Sequence, residues 1–260
     1  MLRQRLLVAA VGLPVLALLL ATSEQVLAAG VTILLAATAY EMAHAARPQA
    51  SAAYPMSAAA AVALFAAASR AVPGFPLVPF VVMAAVTLAL LLHPQGRIAT
   101  MDAGWWLGTT LYVGLGAHLI LLRGLEDGRA WCIVLLVTAF ATDTGAYSVG
   151  RLVGKHLLWP AVSPRKTWEG AFGGMVAGLL GFTISSEVFG LDFDMDAAWI
   201  GIGFALPLAA IGGDLLESAV KRKMGVKDAS HLLPGHGGLL DRFDSVLVVG
   251  VCLYWAVRWL

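Results

Sequence analysis

The sequence predicts an all-α, polytopic integral membrane protein with about nine transmembrane helices. Three observations predict it. Of the 260 residues, 60% are hydrophobic and only 13% are charged, about half the charged share of ordinary soluble domains. Apolar stretches long enough to cross about 30 Å of hydrocarbon, roughly 20 residues each, recur along the whole chain. Finally, the cations between those stretches fall overwhelmingly on one side.

The stretches lie near residues 6–21, 26–46, 56–72, 76–92, 103–122, 130–150, 168–189, 197–220 and 239–259. The first resembles a secretory signal, with Arg3 and Arg5, an apolar run and VLAA at 26–29. Its apolar run is longer than a signal core and another span follows at once, so a retained first helix is expected. The boundary between the third and fourth spans is the least defined, because Pro73, Pro76 and Pro79 crowd there. Cys132 and Cys252 sit in apolar runs without a metal-ligand spacing and read as packing residues.

Orientation follows from the positive-inside rule. With the N-terminus in the cytoplasm and nine crossings, 13 cations are cytoplasmic: Arg3, Arg5, Arg47, Arg97, Arg151, Lys155, Arg165, Lys166, Lys221, Arg222, Lys223, Lys227 and Arg242. Four (Arg70, Arg123, Arg129, Arg258) lie opposite, with the acidic loop of Asp192, Asp194 and Asp196.

Charge is concentrated in Gly212–Ser245, where Asp214, Glu217, Asp228, Asp241 and Asp244 accompany Lys221, Arg222, Lys223, Lys227 and Arg242, with His231 and His236. Within the eighth span, Asp214, Glu217, Ser218 and Lys221 fall at helical spacing on one face, as for a lined cavity. The Lys221–Lys223 run also suits a cluster snorkelling to headgroups. Asp143, in the apolar run TAFATDTGAYSVG, lies about as deep as Asp214 from the same side. An ionisable group inside a span is costly and marks function by default, a buried structural pair being the bland alternative.

The loop at 150–167 carries Arg151, Lys155, Arg165 and Lys166 among the helix breakers Pro160 and Pro164. A basic loop running into a helix N-terminus suits a phosphate, although positive-inside bias alone explains the charges. Thr167 is placed to cap the next helix, and Gly170, Gly173 and Gly174 would allow close backbone approach. In HGGLLDRFD (236–244), glycines precede Asp241 and Asp244, whose spacing of three brings both carboxylates to the first turn of the last helix. Such hard oxygen ligands suit Mg²⁺ held by one or two carboxylates plus substrate phosphates. Each acid alone could simply favour the helix dipole. Arg242 could pair with an acid or meet a phosphate. There is no nucleophilic triad, HExxH zinc spacing, phosphate-binding glycine loop or dinucleotide fingerprint, and nothing suggests nucleic acid. Metal-assisted phosphoryl chemistry remains.

Residues 218–244 read SAVKR, KMGV, KD, ASHLL and PGHGGLLDRFD. This run resembles, without departure, the signature of the phosphatidate cytidylyltransferase (CDP-diacylglycerol synthase) family. The upstream ATDTGAYSVGRLVGK and SPRKTWEG also look like family segments, with Arg165 where lysine would serve as readily. The resemblance implies formation of CDP-diacylglycerol and pyrophosphate from CTP and phosphatidate by a single membrane domain spanning 1–260. Residues 1–129 would supply N-terminal helices, and 130–260 the catalytic helices and cytoplasmic loops. Carried onto this chain, it implies Asp241 and Asp244 as leading metal ligands, with Asp143 and Asp214 as further ligands or their supports. Lys221 and His236 would join Asp241 and Asp244 in catalysis. Arg165, Lys166, Ser218, Arg222, Lys227 and Arg242 would contact substrate. It also implies Mg²⁺, a second cation such as K⁺, a homodimer, and an inner-membrane location with the site facing the cytoplasm. Two other readings fit the same charges: a CTP-dependent transferase for another lipid acceptor, and an ion-coupled transporter.

Overall fold

The structure is a computed structural model that describes residues 2–71, 100–191, 197–230, 232 and 237–259. The expected span at 76–92, the Pro73–Pro79 boundary, the acidic 192–196 loop, His231 and His236 lie outside the described residues. The described chain is overwhelmingly helical: α1 (Leu2–Ala21), α2 (Glu24–Ala46), α3 (Ala53–Ala71), α4 (Thr100–Gly114), α5 (Ala117–Arg123), α6 (Gly128–Val153), α7 (Trp168–Val188), α8 (Ala197–Lys223) and α9 (Leu240–Trp259). Among the described residues, five helical segments are long and apolar enough to cross a membrane: Glu24–Ala46, Asp102–Arg123, Gly128–Val153, Trp168–Val188 and Ala197–Lys223. The protein is therefore a helical membrane protein.

The structure differs from expectation in two places. The apolar run at 103–122 is interrupted by a turn at Leu115–Gly116, between α4 and α5. The basic loop after α6 is folded into an antiparallel hairpin of β1 (Leu157–Trp159) and β2 (Ser163–Thr167). Leu157 pairs with Thr167 and Trp159 with Ser163, with an irregularity between them. Both strands are edges, so Pro164 removes no interior ladder bond.

Packing divides the chain into two units. The first comprises 1–121 with 228–242. Its core is the α2 stripe of Leu27, Val31, Leu35, Ala39 and Met42, buried at helical spacing. Ala43 of α2, Ala58 of α3 and Trp106 of α4 form one buried cluster. Several polar groups in this unit are paired across its helices. Arg47 pairs with Asp102 at 2.9 Å, Tyr54 Oη donates to the Asp102 carbonyl at 2.7 Å, and Trp106 Nε1 donates to Ser57 Oγ at 2.9 Å.

The second unit comprises 122–227 with 243–260. Its spine is a glycine seam between α6 and α7. A Cβ on Gly145 would overlap the Ala177 methyl and the Gly173 carbonyl. One on Gly174 would lie 2.9 Å from both the Ala146 Cβ and the Thr142 carbonyl, and one on Gly178 would overlap Thr142 Oγ1. Lipid supplies no hydrophobic drive between spans, so helices there associate through small residues that let backbones close up. Thr167 caps α7 as the sequence suggests, its Oγ1 accepting from the Gly170 N–H at 3.1 Å. Pro207 interrupts the hydrogen-bond ladder of α8 and lies against Gly178, and Phe182 packs against Trp199, the rings tilted by 36° with centroids 4.4 Å apart.

Two glycine substitutions should therefore part company. Gly145→Ala should destabilise the fold in detergent by about 1–3 kcal/mol through overpacking. Gly201→Ala, with nothing within 4 Å of its Cβ position, should be neutral or stabilising by up to about 1 kcal/mol. Thermal unfolding of both variants against wild type checks the pair.

Candidate active site

The site in the second unit starts from α8. Its residues Asp214, Glu217 and Lys221 recur every three or four positions and so share a face. Gly213 sits where that helix meets α9, and a Cβ there would come within 2.9 Å of the Asp244 carbonyl and 3.3 Å of Ser245 Cα. That backbone contact brings α8 and α9 together at the acids. One carboxylate oxygen each from Asp214, Glu217 and Asp244 lies within 4.8 Å of the others.

Three carboxylates this close repel one another unless cations or a retained proton offset the charge. Lys221 Nζ reaches Glu217 Oε2 at 2.7 Å along the helix, with the Glu217 side chain only 1% exposed. Lys166, at the end of β2, reaches Asp214 Oδ2 at 2.6 Å. Asp143 of α6 stands beside them, its Oδ2 accepting from Ser245 Oγ at 3.2 Å. Asp244 Oδ1 accepts the Ser245 N–H at 2.8 Å.

The trio can hold a hard cation. In an octahedral Mg²⁺ shell with bonds of about 2.1 Å, oxygens stand about 3.0 Å apart when adjacent and about 4.2 Å when opposite. Separations within 4.8 Å are close to that range, and the donors are all oxygen.

A cleft of about 470 Å³ reaches this cluster through Asp214, and Asp143, Arg151, Arg165, Lys166 and Tyr147 are also among its walls, whereas Glu217 and Asp244 do not line it. Acids occupy α6 and α8, and cations line the hairpin and the end of α6. Tyr147 accepts from Arg151 Nη1 at 3.0 Å. The cleft thus offers a cationic wall to phosphates beside an acidic pole suited to a metal ion.

Other sequence-predicted site residues are placed differently. Ser218 is half-buried on α8, while Lys227 and Arg242 are exposed. Arg222 uses its guanidinium on backbone carbonyls, those of Val162 at 3.3 Å and Val226 at 3.1 Å. Asp241, in the first unit, accepts the N–H groups of Gly238 at 2.7 Å and Ala229 at 3.2 Å through Oδ2. Asp241 and Asp244 therefore have different partners, although they are three residues apart on one helix.

Two acids escaped the sequence reading as site residues. The sequence puts Glu217 on the lined face, and only the structure sets it beside Asp214 and Asp244. Glu41 was not singled out at all. It is buried in α2 and its carboxylate holds the turn before α9, accepting from the N–H groups of Leu239 at 3.0 Å and Leu240 at 3.1 Å and from Ser230 Oγ at 2.8 Å. Those amides are the orphan donors of a helix start, which a carboxylate satisfies well. The available signal was an acid inside an otherwise apolar span.

Comparison with known proteins gives this geometry a context. Residues 3–260 match the sequence profile of the cytidylyltransferase family. Phosphatidate cytidylyltransferase of Staphylococcus aureus (strain COL) is 39% identical over 171 residues, covering 65% of this chain and 64% of the relative. The proteins of the same name from Staphylococcus saprophyticus and Staphylococcus haemolyticus are 40% and 39% identical over the same length. The matched part thus spans just under two thirds of these curated relatives.

The Glu41 carboxylate also fills the space above Gly238, where a Cβ would overlap it. Glu41→Leu and Gly238→Ala should both release the Leu239 and Leu240 amides, at about 1–3 kcal/mol for each buried donor left unpaired. Hydrogen exchange at those amides should quicken in both variants. The double variant should cost less than the sum, because both changes break one contact.

Proposed function

The chain belongs to the cytidylyltransferase family, and on that footing we propose that it transfers the cytidylyl group of CTP to phosphatidate, giving CDP-diacylglycerol and pyrophosphate. The observation that carries this reading is the Lys166–Asp214 pair, which joins the cationic wall of the cleft to its acidic pole. The relatives, named as phosphatidate cytidylyltransferases, supply the acceptor.

The chemistry needs little proton transfer. A phosphatidate phosphate oxygen, already ionised near neutral pH, forms a bond to the α-phosphorus of CTP as the bond to the bridging oxygen of the β-phosphate breaks. The electron pair leaves with pyrophosphate. Catalysis then consists of alignment and charge neutralisation. Arg165 and Lys166 line the cleft and neutralise phosphate oxygens, while Lys221 holds Glu217 in place. Asp214, Glu217 and Asp244, with Asp143 at their edge, would hold Mg²⁺. When bound, that ion would screen the triphosphate and stabilise charge on the departing pyrophosphate. Asp241, as a capping acid, shapes the turn from which α9 starts.

The finer features belong to the same proposal. They are about nine spans, a bacterial inner-membrane location with the cleft facing the cytoplasm, a homodimer, and a second cation such as K⁺. The positive-inside count supports the orientation, and CTP is found on that side. Phosphatidate would present its headgroup at the interface while its acyl chains stay in the bilayer.

Purified protein in detergent with Mg²⁺ should convert CTP and phosphatidate to CDP-diacylglycerol, and chelation by EDTA should abolish the reaction. Failure of folded wild-type protein to turn over phosphatidate, with turnover of another lipid acceptor, would replace the substrate. Glu217→Gln and Asp244→Asn should each lower kcat by about 10²-fold or more, the scale for losing a group that organises transition-state charge. Lys223→Gln, exposed at the end of α8, should stay near wild type.

A further inference from the structure

The hairpin between α6 and α7 has two faces. Leu158, Arg165, Lys166 and Thr167 line the cleft. On the outer side, Leu157 and Trp159 are each 50% exposed and Trp168, the first residue of α7, is 62% exposed. Exposed Lys155 and His156 stand at its base. Large apolar side chains beside cations do not suit bulk water. They suit a membrane interface, where tryptophan is enriched and cations meet lipid phosphates.

The tether keeps the hairpin at that interface. Only Gly154, Lys155 and His156 separate the end of α6 from β1, and β2 runs directly into α7. Three extended residues reach about 10 Å, comparable with the roughly 5–8 Å of headgroup layer outside each edge of the hydrocarbon. Glu169 in the first turn of α7 shortens the leash. Its Oε2 accepts the N–H groups of Lys155 at 3.1 Å and His156 at 3.2 Å, and its Oε1 pairs with His156 Nδ1 at 2.5 Å. The base of the hairpin is thereby fastened to the top of a span.

The helix that follows also faces lipid. Along α7, Trp168, Phe172, Val176, Leu180, Ile184 and Val188 are exposed at every fourth residue, an apolar ridge that winds slowly around a membrane-spanning helix. Trp168 stands at its start, where β2 ends.

We propose that this hairpin is a docking element for the anionic surface of the bilayer, with Leu157, Trp159 and Trp168 seated at the headgroup–acyl boundary and Lys155 on lipid phosphates. One strand pair then has the membrane surface on its outer side and the cleft on its inner side. The inference goes beyond the transferase reading, since it concerns bulk lipid and needs no turnover.

The test places a nitroxide on Trp159→Cys in the full chain carrying Cys132→Ala and Cys252→Ala, reconstituted in vesicles of phosphatidylcholine with or without phosphatidylglycerol. Phosphatidylglycerol supplies anionic headgroups without being the proposed substrate. Power saturation should report more collisions with oxygen than with a water-soluble nickel chelate, and a greater depth when phosphatidylglycerol is present. Added salt should reduce that difference by screening. A label as open to the nickel chelate as a free aqueous site would overturn the proposal. So would a label shielded from both reagents, which would mean that a second copy covers the face. An interfacial depth identical in the two vesicles would remove the anionic requirement. If the cysteine-free chain does not fold, quenching by brominated lipid decides in its place. The emission lost on Trp159→Phe in the otherwise native chain should then be lipid-quenched, and emission quenched only by aqueous iodide would overturn the proposal.

Discussion

Three carboxylates crowded beside membrane-spanning helices set the terms for the second unit of this protein. At an effective dielectric constant near 20, two full charges 4.8 Å apart repel by about 3.5 kcal/mol. Asp214, Glu217 and Asp244 contain three such pairs, so the arrangement persists with a proton held on one of the acids or with cations beside it. Lys221 supplies one along α8 and Lys166 another from the hairpin. The proposed divalent ion would be a further partner for this all-oxygen set. Positioning these groups is what the glycines accomplish. Gly213 lets α8 touch the backbone of α9, and the α6–α7 seam places Asp143 and the hairpin along the cleft.

The same logic appears on a smaller scale in the first unit. Glu41 satisfies two backbone donors and Ser230, while Asp241 ties Ala229 and Gly238 together. Two buried or half-buried acids thus hold a turn through its backbone amides. An acid inside an apolar chain marks a demand for partners, and those partners can be backbone amides as readily as a metal.

Much of this was legible in the sequence because it depends on composition and periodicity. Hydropathy located the five described segments that are long and apolar enough to cross a membrane to within a few positions, and Thr167 announced the start of α7. The depth of Asp143 and Asp214 pointed to one charged region, and the gapless motif at 218–244 pointed to the family. What was not legible depends on contacts far apart in sequence or on side-chain choice. The i, i+3 spacing of Asp241 and Asp244 says that their side chains leave the helix on one side. It does not say that Asp241 bends back to the turn while Asp244 meets α8. Glu217 shared its face with Asp214 and Lys221, and only the approach of α9 makes it part of a trio. The hairpin was hidden because its strands are short and its prolines read as loop. Its base is held by Glu169, outside the strands themselves, through the Lys155 and His156 N–H groups.

The central claim is that Asp214, Glu217 and Asp244 form the cation site of this chain. Titrating Mn²⁺ into purified protein and following the free ion by electron paramagnetic resonance tests it without turnover. The account predicts saturable Mn²⁺ binding, weakened by about tenfold or more in Glu217→Gln and in Asp244→Asn, and competed by Mg²⁺. It also predicts little change in affinity for Asp241→Asn. Binding retained in Glu217→Gln and Asp244→Asn but lost in Asp241→Asn would contradict the account and move the cation to the turn before α9.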